Sequence, residues 1–240
     1  MHASEPRDPR RSRGSVAPGP RRWWAAAGLT VAAAVVAAAL LRVLTGPVYL
    51  IPSGSMEPTL LPGDRVHVDT SAAGGAGLAR GDVVVVDGSG SLAPYRPRSE
   101  LTAALEDVAA SWGLGGREDV FVKRVLALPG DTLACCADDG RLLLDGRPLD
   151  EPWLGRAVTA AAPASAGRWE FAVPEGRMVL LGDNRAASRD SRDLLGAPGG
   201  GLVPVDSVLG SVDAVVWPLD RRGPVPAGAA DTAGEAHAGR

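Results

Sequence analysis

Residues 23–41, WWAAAGLTVAAAVVAAALL, run for 19 residues without a charge. A helix rises about 1.5 Å per residue, so this run reaches roughly 29 Å, against a hydrocarbon core of about 30 Å. Six arginines precede it (Arg7, Arg10, Arg11, Arg13, Arg21 and Arg22), and one, Arg42, follows at once. Basic flanks stay on the cytoplasmic side of a membrane. Residues 1–22 therefore read as a cytoplasmic Arg-rich N-terminus, and everything after Arg42 as extracytoplasmic. The competing reading is a cleaved leader, with AAA at 37–39 as the cut. The apolar run is longer than a leader core needs, which favours a retained single-pass anchor in the cell membrane, with the lipid bilayer as a partner. No second spanning run follows. Residues 223–240, GPVPAGAADTAGEAHAGR, are polar and rich in Gly, Ala and Pro, the composition of a disordered tail.

Between anchor and tail, residues 42–222 break into short apolar runs set off by turns. PGDRVHV (62–68), RGDVVVV (80–86) and PGDTLAC (129–135) each place a Gly-Asp pair before a strand-like run. In LLLDGRPL (142–149), Asp145-Gly146 separates two runs, the signal of a type I′ hairpin. EGRMVLLGDN (175–184) and GSVDAVVWPL (210–219) add two more β segments. The expectation is a mainly β, antiparallel domain, with a smaller β subdomain over about 134–178. Within an insertion at 88–118, SELTAALEDVAASW (99–112) reads as a helix. Ser99 caps it, and Leu101, Leu105, Val108 and Trp112 share a face.

Charge narrows the function. The chain carries 25 lysines and arginines, and only Lys123 is a lysine. Arg replaces Lys wherever a positive charge on a long stem suffices, but guanidinium does not give up its proton at physiological pH. A lone lysine in FVKRVLALPGD (121–131) is either a stray surface charge or a group that must titrate. On a strand, Phe121, Lys123 and Val125 share one face, and Val122, Arg124 and Leu126 the other. Apolar neighbours lower a lysine pKa, which suits a general base near neutral pH. Net charge is −3, with no basic patch beyond the N-terminus, so nucleic acid is not an expected partner. The cysteines, Cys135 and Cys136, are adjacent. They bridge no distant segments and match no zinc spacing; the sequence leaves open a vicinal disulfide or two thiols.

A base needs a nucleophile. YLIPSGSMEPTLLPGD (49–64) is an extended apolar run that breaks at Pro52 into a Ser-Gly-Ser turn, where Gly54 permits a sharp bend presenting Ser55. Of the three histidines, His2 falls in the cytoplasmic N-terminus and His237 in the tail, and His67 shares a strand face with Arg65 and Asp69, a solvated face. A Ser-His-Asp triad is thus poorly supported. Ser55 with Lys123, a serine activated by a neutral amine, is the arrangement that remains.

PSGSMEPTL (52–60), RGDVVVV (80–86), FVKRVLALPGD (121–131) and LGDNRAASRDSR (181–192), in this order after an N-terminal anchor, resemble the bacterial type I signal peptidases over roughly residues 46–220. The resemblance implies an antiparallel β catalytic domain of that type and a Ser/Lys mechanism, with Ser55 as nucleophile and Lys123 as base. It implies an oxyanion hole from the Ser53 hydroxyl and the Ser55 N–H, and Ser188 as the group orienting the lysine. Asp183, Asp190 and Arg192 become structural support. Ile51, Pro52, Met56, Leu60, Phe121 and Val122 would line apolar pockets for small side chains at Ala-x-Ala cut sites. Many members carry Asp and Asn where this chain has Ala186 and Ala187.

The expected partners are signal-peptide-bearing preproteins at the membrane. A monomer is expected, and no cofactor or metal. Ser55 lies 14 residues past the anchor, at most about 45 Å of extended chain, which keeps the site near the membrane boundary. Two rivals stand beside this reading. Self-cleaving repressors are Ser-Lys proteases of similar fold, but they are soluble. A membrane-tethered β domain that binds exported chains without cleaving them would not need its one lysine.

Overall fold

The computed structural model describes residues 20–94 and 119–226, apart from the side chains of 20–22 and 39–45. The Arg-rich segment before residue 20, the expected helix over 99–112 and the tail beyond 226 lie outside the described residues. The chain divides into two units, Met1–Thr45 and Gly46–Arg240.

In the first unit, helix α1 spans Pro20–Thr45. Proline suits a helix start, where its missing N–H would have no partner in any case. Gly46 follows the last turn at φ +73° and Pro47 comes next, a pairing that ends helices. The helix is therefore longer than its uncharged run. Its side chains from 23 to 37, including Trp23, Trp24, Leu29, Val31, Val35 and Val36, are exposed. Among the described residues no helix is long and apolar enough to cross a membrane.

The second unit is antiparallel β. Its strands are β1 (Val48–Leu50), β2 (Arg65–Asp69), β3 (Val83–Asp87), β4 (Val120–Ala127), β5 (Thr132–Cys135) and β6 (Leu142–Leu144). They continue with β7 (Arg147–Pro148), β8 (Trp169–Ala172), β9 (Arg177–Leu181), β10 (Val203–Pro204), β11 (Val208–Trp217) and β12 (Gly223–Pro224). The larger sheet runs β1-β2-β11-β3-β4-β9-β10, with β12 beside β11; the smaller runs β7-β6-β5-β8. Gly223–Pro224 were expected in the tail. They pair instead with Val215 and Ala214, and Val225 is buried, so the ordered domain passes 222.

One turn recurs three times. Gly63, Gly81 and Gly130 take φ of +94°, +91° and +92°, a region costly for any residue with a Cβ. The following aspartates, Asp64, Asp82 and Asp131, each accept a hydrogen bond at 2.8 Å from the N–H three residues back. Strands β2, β3 and β5 each begin one residue later. Asp145 and Gly146, at φ 51° and 76°, close the β6–β7 hairpin as their type I′ signal requires.

Strand β3 shows where the core sits. Val83 and Val85 pack with Ile51, Met56, Leu60 and Val66, while Val84 and Val86 pack with Val125, Met178, Leu180 and Val208. Alternate residues of one strand thus enter two cores, and all four valines are buried. A third core joins the small sheet (Leu133, Leu142, Leu144, Phe171) to Leu126, Val179 and Leu181 of the large one. Cys135 and Cys136 form the vicinal disulfide.

Candidate active site

Beyond β1 the chain is held against the Gly63-Asp64 turn, with Ile51 N–H donating to the Asp64 carbonyl and Gly63 N–H to the Ile51 carbonyl. Pro52 and the extended Ser53 lead into one 3-10 turn, Gly54–Met56. A second segment braces this turn from behind. Asn184 N–H donates to the Ser55 carbonyl at 3.1 Å, and its side-chain amide donates to the Gly54 carbonyl at 3.0 Å. Gly182 is what allows the approach, because a Cβ there would lie 2.4 Å from the Ser55 carbonyl oxygen and 2.1 Å from Ser188 Oγ.

The turn points Ser55 at β4. Lys123 Nζ donates to Ser55 Oγ at 2.8 Å and to the Val122 carbonyl at 3.2 Å. The lysine is buried, at 3% exposure, with the Phe121 ring 6.0 Å from its amine. Burial lowers its pKa from 10.5 to about 8; the Asp190 and Asp183 carboxylates oppose the fall and Arg192 adds to it. A measurable fraction of neutral amine is therefore in contact with a hydroxyl near neutral pH. Ser53 Oγ lies 3.4 Å from Ser55 Oγ, on the exposed side of the turn.

Around the pair lies a cavity of about 180 Å³. Ile51, Pro52, Met56, Phe121 and Val122 line it. Leu60 does not. It is fully buried in the core with Ile51 and Met56, behind the cavity wall.

The support residues form two ion-pair groups. Asp183 takes a bidentate pair from Arg124, at 2.9 and 2.7 Å, and accepts from Thr59 Oγ1. Asp190, wholly buried, accepts from Gly182 N–H and takes a bidentate pair from Arg192, both contacts at 2.8 Å. Burial alone would raise the Asp190 pKa, but the Arg192 hydrogen bonds and charge outweigh it and hold the carboxyl below its usual value. Ser188 is brought against Gly182, where its hydroxyl helps hold the Asp190 carboxyl ionised, and the bonds of Lys123 go to Ser55 and the Val122 carbonyl instead.

Sequence reasoning passed over Arg124. It is fully buried, and it also donates to the Gly81 and Pro226 carbonyls and stacks over the Trp153 ring at 4.4 Å. The available signal was its place between Val122 and Leu126 on one strand face, a charge where an apolar side chain belongs. His67, read as solvated, is half-buried, its Nδ1 2.7 Å from Asp213 Oδ1 on β11.

The family model for signal peptidase, peptidase S26, matches residues 23–217. A probable signal peptidase I of Mycobacterium leprae (strain TN) is 37% identical over 230 residues, covering 84% of this chain and 78% of that one. Signal peptidase I of Mycobacterium tuberculosis (strain ATCC 25618 / H37Rv) is 38% identical over 197 residues, covering 74% and 67%. Among solved structures, a signal peptidase I of Enterococcus faecalis V583 is 25% identical, covers 56% of this chain and 95% of its own, and superposes with a TM-score of 0.37.

Proposed function

Because this chain belongs to the signal peptidase family, peptidase S26, we propose that it is a membrane-bound serine endopeptidase that removes N-terminal signal peptides from exported preproteins. The observation that carries the reading is the 2.8 Å contact between Ser55 and the only lysine of the chain, buried and with its pKa lowered.

Neutral Lys123 takes the Ser55 proton as Oγ attacks the carbonyl carbon of the scissile peptide. The oxyanion is held by the Ser53 hydroxyl and the Ser55 N–H. The lysine ammonium then gives its proton to the leaving amine, which frees the mature chain and leaves the signal peptide as an ester on Ser55. The lysine, neutral again, takes a proton from water, whose oxygen attacks the ester and restores the serine. Ser188, buried beside Gly182, would orient the lysine by turning its hydroxyl toward Nζ. The small apolar cavity suits short side chains, hence cutting after Ala-x-Ala sites.

The uncharged run of α1 and its six leading arginines support a single-pass anchor, N-terminus in the cytoplasm and β domain outside. The test is cleavage of an Ala-x-Ala preprotein by the detergent-solubilised full chain, wild type beside Lys123→Arg. The substitution keeps the charge and removes the base. Cutting by the wild type alone supports the proposal; equal cutting by both sinks the Ser/Lys mechanism. If neither cuts while both are folded, the alternative of a tethered binding domain is left.

A further inference from the structure

The pocket that receives the residues before the cut shares no lining residue with a second hollow of the β domain. That hollow begins two residues past Ser55, at Glu57 and Pro58, and encloses about 300 Å³. Asn184, the residue that braces the Ser55 carbonyl, forms part of its wall. At Leu154, Gly155 and Arg156 it meets a larger open hollow of about 690 Å³, which runs on past Asp150 and Arg141. The two make one groove that starts beside the Ser55 turn and leads away from it. Gly155 seats the groove against that turn, since a Cβ there would come within 2.9 Å of Pro58 Cγ.

The charges along this groove are unequal in what they have left to offer. Arg185 is paired with Glu151, Asp183 with Arg124, and Arg141 with Asp139 and Asp150. Arg156 differs. Its Nη1 and Nη2 donate to the carbonyls of Ala162 and Pro163, at 2.8 and 2.6 Å, and among the described residues no carboxylate pairs with it. Two carbonyls therefore fix an exposed guanidinium at the junction of the two hollows without cancelling its charge. Nε and the remaining N–H groups stay available to a ligand.

We infer that this groove binds the first residues of the mature chain, those on the far side of the scissile bond, and that Arg156 favours an acidic side chain among them. The inference rests on the peptidase reading, since it needs a substrate that continues beyond Ser55. The site is one of substrate selection: it leaves the chemistry at Ser55 as it stands and sets which preproteins are held long enough to be cut.

The test uses the full chain in detergent micelles and peptides that are identical from the signal segment through the cut. One peptide stops two residues past the cut as an amide. Three others extend to ten residues and carry two acidic, two basic or only neutral side chains. The acidic extension is expected to show a kcat/KM about fivefold above the basic one, the size of one partly exposed ion pair. That preference should shrink as salt rises, and Arg156→Glu should reverse it. If the variant does not fold, the wild-type salt series decides alone. Equal kcat/KM for the acidic, neutral and basic extensions overturns the groove while the peptidase reading survives. A wild type that cuts no peptide overturns the peptidase reading, and this inference with it.

Discussion

Arg124 and Asp183 face each other through two parallel hydrogen bonds, 2.9 and 2.7 Å long, and neither side chain reaches solvent. The pair joins β4, which carries Lys123, to the segment that braces Ser55. Removing one partner of such a pair strands a buried charge, at about 3–5 kcal/mol. Asp183→Ala should therefore lower stability by that amount in denaturant titrations of the β domain. The double substitution Arg124→Met with Asp183→Ala should be less destabilised than the single one; an equally unstable double variant would refute the account.

The lowered pKa of Lys123 sets two pH dependences of different origin. With Lys123 as the proposed base, kcat/KM should rise tenfold per pH unit below about 8 and level off above it. A flat profile from pH 6 to 9 would rule the lysine out as base.

Stability follows the same proton with its own sign. The folded pKa, about 8, lies below the 10.5 of a lysine in the unfolded chain, so between those two the unfolded chain binds more protons and stability climbs with pH. Below pH 8 the full cost of burying the charge is present, about 3 kcal/mol by the size of the shift. Lys123→Met should thus be more stable than wild type at pH 7, with the gap narrowing by pH 10. Thermal melts at the two pH values measure it.

Ser53 is exposed and bonds only weakly toward Ser55, so replacing it should leave the fold intact. Ser53→Ala is expected to lower kcat by about 100- to 1000-fold with little change in KM, as the loss of one oxyanion donor does. A change confined to KM would assign Ser53 to ground-state binding instead.

Gly182→Ala tests the brace. Ser188 Oγ can rotate away from the new methyl group, but Ser188 Cβ, 2.5 Å from it, and the Ser55 carbonyl, 2.4 Å from it, cannot. The turn must shift, and a misplacement near 1 Å costs roughly 100-fold in rate. A folded Gly182→Ala variant with activity within a few-fold of wild type would refute the brace.

Much of this was legible in the sequence because it is local. Asp64, Asp82 and Asp131 each close a turn with an N–H three residues away, so three strand starts could be read directly. Asp145-Gly146 marked its hairpin for the same reason. The lone lysine was visible because composition elsewhere had replaced its kind. Partnerships across the sheets were not visible. Nothing near Arg124 in the chain announces Asp183, 59 residues on, or the Pro226 carbonyl. Leu60 illustrates the limit of carrying over a motif: its neighbours Ile51 and Met56 line the cavity, while its own side chain turns into the core. Gly223–Pro224 looked like tail because a two-residue strand has no period to detect.

The position of β11 bears on when the enzyme can first act. In the sheet it lies between β2 and β3, so it separates the strands flanking Ser55 from those flanking Lys123. A ribosome that has extruded residues 46–181 has already made both reactive groups, yet the strand that sets their halves side by side is still unmade. Assembly of the pair therefore waits on β11, the last long strand of the domain to be made.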